Sequence, residues 1–216
     1  MESIEAPYRD RNPSLWKQIR PTTAPPLDTT DDVDPLLPKR PLPNSYWATP
    51  LLLASEYPGD YRKEVAAMKL TALLDVGVRD FYDLTEAWEL LPYSQILQGI
   101  ATERGWRYEE YGAVGEAEPS GAANEEKVVR YGRFSIQDGG LPDRPTLHGV
   151  LQAIQDSASR GRKAVVHCFG GIGRTGTIEA LNILKRKWMG VEKNWRAPQT
   201  PENAQQMAFV LAFSPV

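Results

Sequence analysis

The chain has 216 residues, a formal net charge of −3 and a single cysteine. That length holds one ordinary domain with a sizeable core and some additional chain. The charge argues against a nucleic-acid or acidic-membrane partner, the lone cysteine rules out an internal disulfide, and no apolar run approaches a membrane-spanning length.

Residues 1–44 carry nine of the 18 prolines, among them Pro25-Pro26 and Pro41. Proline lacks an N–H and fixes φ, so neither a long helix nor a central strand is expected there. We read residues 1–44 as a proline-rich extended leader and residues 45–216 as the folded domain. The leader either lies along the domain or serves as a recognition arm that docks on a partner. Its opening Met-Glu-Ser-Ile-Glu lacks a basic-then-apolar pattern, so a cytoplasmic location is expected.

From Asn44 onward, residue types suggest a strand over 46–53 and a turn at Tyr57-Pro58-Gly59-Asp60. A helix follows over 61–75, with Asp60 as its N-cap and Val65, Met68, Ala72 and Leu73 as its buried stripe, widened by Leu70 and Leu74. Then come a strand over 78–84, a helix over 93–104, a strand over 106–111, a polar loop over 112–125 and a strand over 128–136. Helical spacing returns over 146–159, a strand covers 163–167, and the last helix covers 201–213. Strands alternating with helices predict an α/β fold: a central, mostly parallel sheet flanked by helices on both faces. In such sheets sites gather beyond the carboxyl ends of the strands, where Thr85-Glu86 and Gln137-Asp138 fall.

The most informative stretch is His167-Cys168-Phe169-Gly170-Gly171-Ile172-Gly173-Arg174-Thr175-Gly176-Thr177, between a short apolar run and a periodic segment beginning at Ile178. It reads as strand, glycine-rich turn and helix start. Cys168 and Arg174 bracket five uncharged residues, three of them glycine. Such a turn can curl its N–H groups around one tetrahedral anion, with the positive end of a helix beneath it. The same N–H groups and dipole stabilise a thiolate, which makes Cys168 the expected nucleophile. Arg174 supplies a planar fork matching two phosphate oxygens. The Thr175 hydroxyl is expected to hydrogen-bond the sulfur and to assist its departure.

This stretch resembles the signature of the cysteine-dependent protein tyrosine phosphatases: His-Cys, five residues, Arg, then Ser or Thr. The His-Cys-aromatic-Gly-Gly form is similar to dual-specificity-like members, including the cyclin-dependent-kinase-associated phosphatase type. The resemblance covers about residues 45–213. It implies a signature loop between a strand and a helix, with Phe169, Gly170, Gly171, Ile172, Gly173 and Arg174 binding the phosphate. It also implies that His167 supports the turn through a backbone hydrogen bond rather than acting as a base.

A leaving phenolic or alkoxide oxygen needs a proton that the thiolate cannot give, so a carboxylic acid on another loop must supply it. In the resembled family that acid stands four residues before a proline, as Asp138 stands before Pro142, with Gly139 and Gly140 between them as hinge candidates. Asp143 competes for the role, although its place ahead of a helix suits a cap. Glu86 is either a buttress for Arg174 or a solvated loop carboxylate. The resemblance also points to Gln199 as the residue that positions the hydrolytic water; a surface position before a helix is its ordinary reading. His148 reads as an ordinary helix residue.

One cysteine and two separated histidines offer no metal set, and thiol chemistry needs none, so no cofactor is expected. Related lipid phosphatases often place lysines inside the turn, and this turn has none. The expected substrate is therefore a phosphorylated protein, phosphotyrosine first, with phosphoserine and phosphothreonine left open. The alternatives are a phosphoinositide or other small phosphomonoester phosphatase, and a module that captures phosphotyrosine without turning it over.

Overall fold

The computed structural model describes residues 39–110, 125–188 and 202–212, with side chains apart from those of 125, 183–188 and 211. Six strands form one sheet: β1 (Ser45–Thr49), β2 (Leu52–Ser55), β3 (Val78–Asp83), β4 (Arg107–Glu110), β5 (Val128–Arg133) and β6 (Lys163–His167). Their spatial order is β1-β2-β6-β3-β5-β4. Only the β1–β2 pair is antiparallel; β2–β6, β6–β3, β3–β5 and β5–β4 are all parallel. Among the described residues the α-helices are α1 (Lys63–Asp75), α2 (Ser94–Glu103), α3 (Arg144–Ser159), α4 (Gly173–Trp188) and α5 (Ala204–Ala212). The mostly parallel sheet expected from the alternation of elements is what the chain forms.

Successive residues of β2, β3 and β6 serve opposite cores, as the pleat requires. On one face Leu53, Phe81, Val129 and Val165 pack with Leu70, Leu73 and Leu74 of α1 and Leu97 and Ala101 of α2. On the other, Leu52, Tyr82, Ala164 and Val166 pack with α3, α4 and α5 through Val150, Ile154, Ile178, Leu181 and Val210. The central strands are therefore buried on both faces. That explains why β6 reads as an apolar run without polar alternation.

Several local expectations need correction. The predicted strand over 46–53 is a hairpin of two strands, because Pro50 sits in the connection and cannot donate to a ladder. Asp60 does not cap α1. Its carboxylate accepts the Arg62 N–H at 3.0 Å, which closes a turn, and the helix starts at Lys63 with Arg62 in the cap position. The buried stripe of α1 is Ala66, Leu70, Leu73 and Leu74, whereas Met68 is 67% exposed. Both candidate stripes have helical spacing, and only the packing of α2 and the sheet selects between them. Helix α4 starts at Gly173, ahead of the periodic segment at 178, so Arg174 and Thr175 lie in its first turn. The predicted polar loop over 112–125 lies almost wholly outside the described residues.

One buried carboxylate couples the fold to pH. Glu179 of α4 is 1% exposed and accepts the Tyr46 hydroxyl at 2.8 Å. Burial outweighs that hydrogen bond and pushes its carboxyl up to about 7. A raised folded-state value means that stability is full below the unfolded pKa and is lost as pH climbs through the folded one.

Two outcomes are expected in urea titrations. Leu73→Ala should cost about 2–5 kcal/mol, and Met68→Ala should stay within about 0.5 kcal/mol; comparable losses would reject the observed stripe. From pH 5 to 8 the wild type should lose about 2–3 kcal/mol that Glu179→Gln does not lose. Parallel pH profiles of the two proteins would reject the buried acid.

Candidate active site

Four chain segments meet beyond the carboxyl ends of β3, β5 and β6. The turn after β6 starts from Cys168, which is a free thiol only 3% exposed. Phe169 and Gly170 face outward, whereas Gly171 and Gly173 are buried and Ile172 is half-buried. The turn is pinned to the segment after β2, where the Tyr57 N–H donates to the Phe169 carbonyl at 2.9 Å. Gly171 has φ +76°, and a Cβ there would stand 2.6 Å from the backbone carbonyl of Ser55. Only glycine satisfies both the left-handed backbone and that close approach.

Arg174 is 2% exposed and must therefore be compensated within the protein. Glu89 grips it with both oxygens, Nη1 to Oε2 and Nη2 to Oε1, each at 2.7 Å. Nη1 also donates to the Ile136 carbonyl at 3.0 Å, and Nη2 lies 3.0 Å from Oδ1 of Asp138. Burial pulls the guanidinium pKa down, but the Glu89 hydrogen bonds, with the charges of Cys168, Glu89 and Asp138, lift it above its ordinary value. Both Nη1 protons are thus engaged. The edge that can face a phosphate is Nε together with the Nη2 proton now facing Asp138.

The Arg174 buttress is therefore Glu89, not Glu86. The two residues share a turn in which the Glu89 N–H donates to the Glu86 carbonyl at 3.0 Å. The Glu86 N–H in turn donates to Oε2 of Glu89 at 3.1 Å. Glu86 thus serves the pair through its backbone, and the turn directs the side chain three residues on toward Arg174. Sequence spacing had no means of choosing between these two carboxylates in one loop.

Beneath the turn, the His167 imidazole is fully buried and its Nε2 meets the Tyr93 hydroxyl at 2.6 Å. Its Nδ1 faces Oδ1 of Asp83 at 3.9 Å. Burial lowers the imidazole pKa despite the Asp83 charge, so the ring is neutral at neutral pH and unsuited to act as an acid. Asp83, at the end of β3, accepts from the N–H and hydroxyl of Thr85, from the Tyr131 hydroxyl and from Arg133. Tyr93, Asp83 and Glu89 all escaped the sequence reading. No motif marks them, and only the sheet order brings them together.

The Thr175 hydroxyl is buried and makes no hydrogen bond, so the expected bond to the Cys168 sulfur is not formed. A thiol is a weak acceptor, and a thiolate would be the stronger draw on a hydroxyl free to rotate. Asp143 caps α3, accepting the Thr146 N–H at 2.7 Å, and its hydrogen bonds to Thr146 lower its pKa. An exposed carboxylate held ionised in this way is a poor proton donor. Asp138, by contrast, is 78% exposed and faces Arg174 from the loop after β5. Gln199 lies outside the described residues.

Residues 113–212 match the family model described as Swiss Army Knife protein, DSP-PTPase phosphatase domain. Just under half of the chain is thus similar to a phosphatase domain of the dual-specificity type. The solved structure of a putative phosphatase (DUF442) from Shewanella putrefaciens CN-32 shares this fold, with a TM-score of 0.51 at 15% identity over 78% of this chain and 89% of that one. Receptor-type tyrosine-protein phosphatase H of Homo sapiens is 34% identical over 70 residues, which are 29% of this chain and 6% of that protein. Cyclin-dependent kinase inhibitor 3 of Sus scrofa is 33% identical over 49 residues, 23% of each chain. The chain thus matches under a quarter of the length of either relative. Among the described residues no helix is long and apolar enough to cross a membrane.

Glu89→Gln should lower stability by about 2–3 kcal/mol, since it removes the charge that compensates a buried guanidinium. Glu86→Gln should change it by no more than about 0.5 kcal/mol. Equal losses in chemical denaturation would contradict the assigned buttress.

Proposed function

We propose that the protein hydrolyses phosphomonoesters of protein side chains, phosphotyrosine foremost and phosphoserine or phosphothreonine as further candidates, through a phosphocysteine intermediate. The observation that carries this reading is the meeting of Asp138 with Arg174 at 3.0 Å, beside the turn that begins at Cys168. A nucleophile, an oxyanion fork and a solvent-accessible carboxyl group are then within reach of one bound phosphate.

In the first step the Cys168 thiolate attacks phosphorus in line with the leaving oxygen. An S–P bond forms, the P–O bond to the substrate breaks, and protonated Asp138 gives its proton to the departing oxygen. Turn N–H groups and the free edge of Arg174 hold the three equatorial oxygens as their charge develops. In the second step water attacks phosphorus, the S–P bond breaks, and Asp138 takes the proton. Gln199 is proposed to position that water. The phosphate displaces the Asp138 carboxylate from the Nη2 proton, so the carboxyl is released toward the leaving group as substrate seats.

Support for a protein substrate comes from the turn itself. Phe169, Gly170, Gly171, Ile172 and Gly173 add no positive charge that would suit the extra phosphates of a phosphoinositide.

The test is phosphate release from a phosphotyrosine peptide, a phosphoserine peptide, an aryl phosphate and a phosphoinositide. Cys168→Ser should abolish turnover, Asp138→Asn should lower it about 10²-fold or more, and Asp143→Asn should change it less than about threefold. Preference for the phosphoinositide would overturn the substrate class. Tight peptide binding without any turnover by the wild type would overturn the enzyme reading.

A further inference from the structure

The Asp138 loop has little of its own to hold it. Gln137 to Gly140 form a tight turn closed by the Gly140 N–H on the Gln137 carbonyl at 2.8 Å, with Gly139 at φ +69°. Two successive glycines have the weakest backbone preference of any pair and no side chains by which to be packed. Asp138 is mostly exposed, and its ion pair is to Arg174, the residue whose free edge a phosphate takes. When substrate binds, the contact that orients Asp138 is therefore lost at the moment the orientation matters.

Helix α5 provides the missing restraint. Nδ2 of Asn203 donates to the Gly139 carbonyl at 3.1 Å, and Nε2 of Gln206 donates to the Gly140 carbonyl at 3.2 Å. Each amide is aimed by what its oxygen does. Oδ1 of Asn203 accepts the Gln206 N–H at 2.9 Å and caps the helix, and Oε1 of Gln206 accepts the Glu202 N–H at 3.2 Å. Reversing either amide would set oxygen against carbonyl oxygen and N–H against N–H, so the network fixes both orientations. Gln206 is completely buried, and its Nε2 would be 3.3 Å from a Cβ at Gly173. It thus stands where the acid loop and the first residue of α4 meet.

We propose that Asn203 and Gln206 are positioning residues that hold the Asp138 carboxyl group toward the leaving oxygen by clasping the two peptide carbonyls that follow it. This rests on the reading of Asp138 as the proton donor. The clasp works through backbone, so it persists when phosphate displaces Asp138 from Arg174. The bonds that cap α5 also aim the two nitrogens, so a well-formed helix start and a well-placed acid come together.

The variants Asn203→Asp and Gln206→Met separate these functions. Aspartate keeps the cap oxygen and favours a helix start but has no donor for Gly139; methionine fills the Gln206 volume without a donor. The readout is kcat/KM on phenyl phosphate, whose leaving group needs a proton, against 2,4-dinitrophenyl phosphate, whose leaving group does not. Both variants should lose about tenfold or more on phenyl phosphate and less than about twofold on the dinitrophenyl ester, a fraction of what a general acid supplies. The alkaline limb of the pH profile should flatten in step. Asp138→Asn, run alongside, should show the same selectivity to a larger degree. Equal losses on both esters, or none on either, while Asp138→Asn stays selective, would overturn the clasp. An unselective Asp138→Asn would instead overturn the proton-donor reading beneath it. Asn203→Asp, which retains the helix cap, decides the matter alone if Gln206→Met does not fold.

Discussion

Arg174 imposes the governing constraint on this domain: a guanidinium almost completely removed from water has to find its counter-charges within the fold. It finds them on two different connections. Glu89 comes from the segment after β3, and Ile136 and Asp138 come from the segment after β5. Arg174 itself sits in the first turn of the helix after β6. One buried charge therefore binds three strand ends together, and the same arrangement leaves a single polar edge open. The site and the local stability are consequences of one compensation.

The sheet makes that compensation possible. In the order β2-β6-β3-β5 the parallel strands all deliver their carboxyl ends to the same side, with β6 between β2 and β3. Two apolar layers hold the strands from either face, so the polar groups at their ends have little freedom to drift. Asp83 shows the effect. At the end of β3 it is fully buried and accepts four hydrogen bonds from Thr85, Tyr131 and Arg133, which set the floor on which His167 and Tyr93 rest.

The parts of this architecture that were legible in the sequence are those written in local pattern. Strand–turn–helix at 163–177 was readable because an apolar run, three glycines and a cysteine–arginine bracket fall within one short stretch. Asp138 could be separated from Asp143 because one stands in a glycine turn and the other before a helix. The illegible parts depend on which segments become neighbours. Nothing local distinguishes Glu89 from Glu86, or the 66-70-73-74 face of α1 from the neighbouring face that includes Met68. Asn203 and Gln206 look like a helix start and a buried polar residue until the Asp138 loop is seen lying against them. The Tyr93–His167 contact joins residues 74 positions apart and has no sequence signal at all.

The place of β6 in the sheet has a kinetic side. The strand that carries the cysteine lies between β2 and β3, both of which precede it by most of the domain. Before β6 arrives, β2 and β3 each present an unpaired edge, and the segments from α1 to α3 can pair and pack only around a gap. Such long-range parallel pairing is slow, because the closure entropy is lost before the contacts are gained. The Cys168 thiol therefore enters its turn only as the sheet closes. A chain that stalls earlier would expose strand edges and a solvated, unstructured cysteine, which makes the thiol's own reactivity a natural reporter of whether folding has finished.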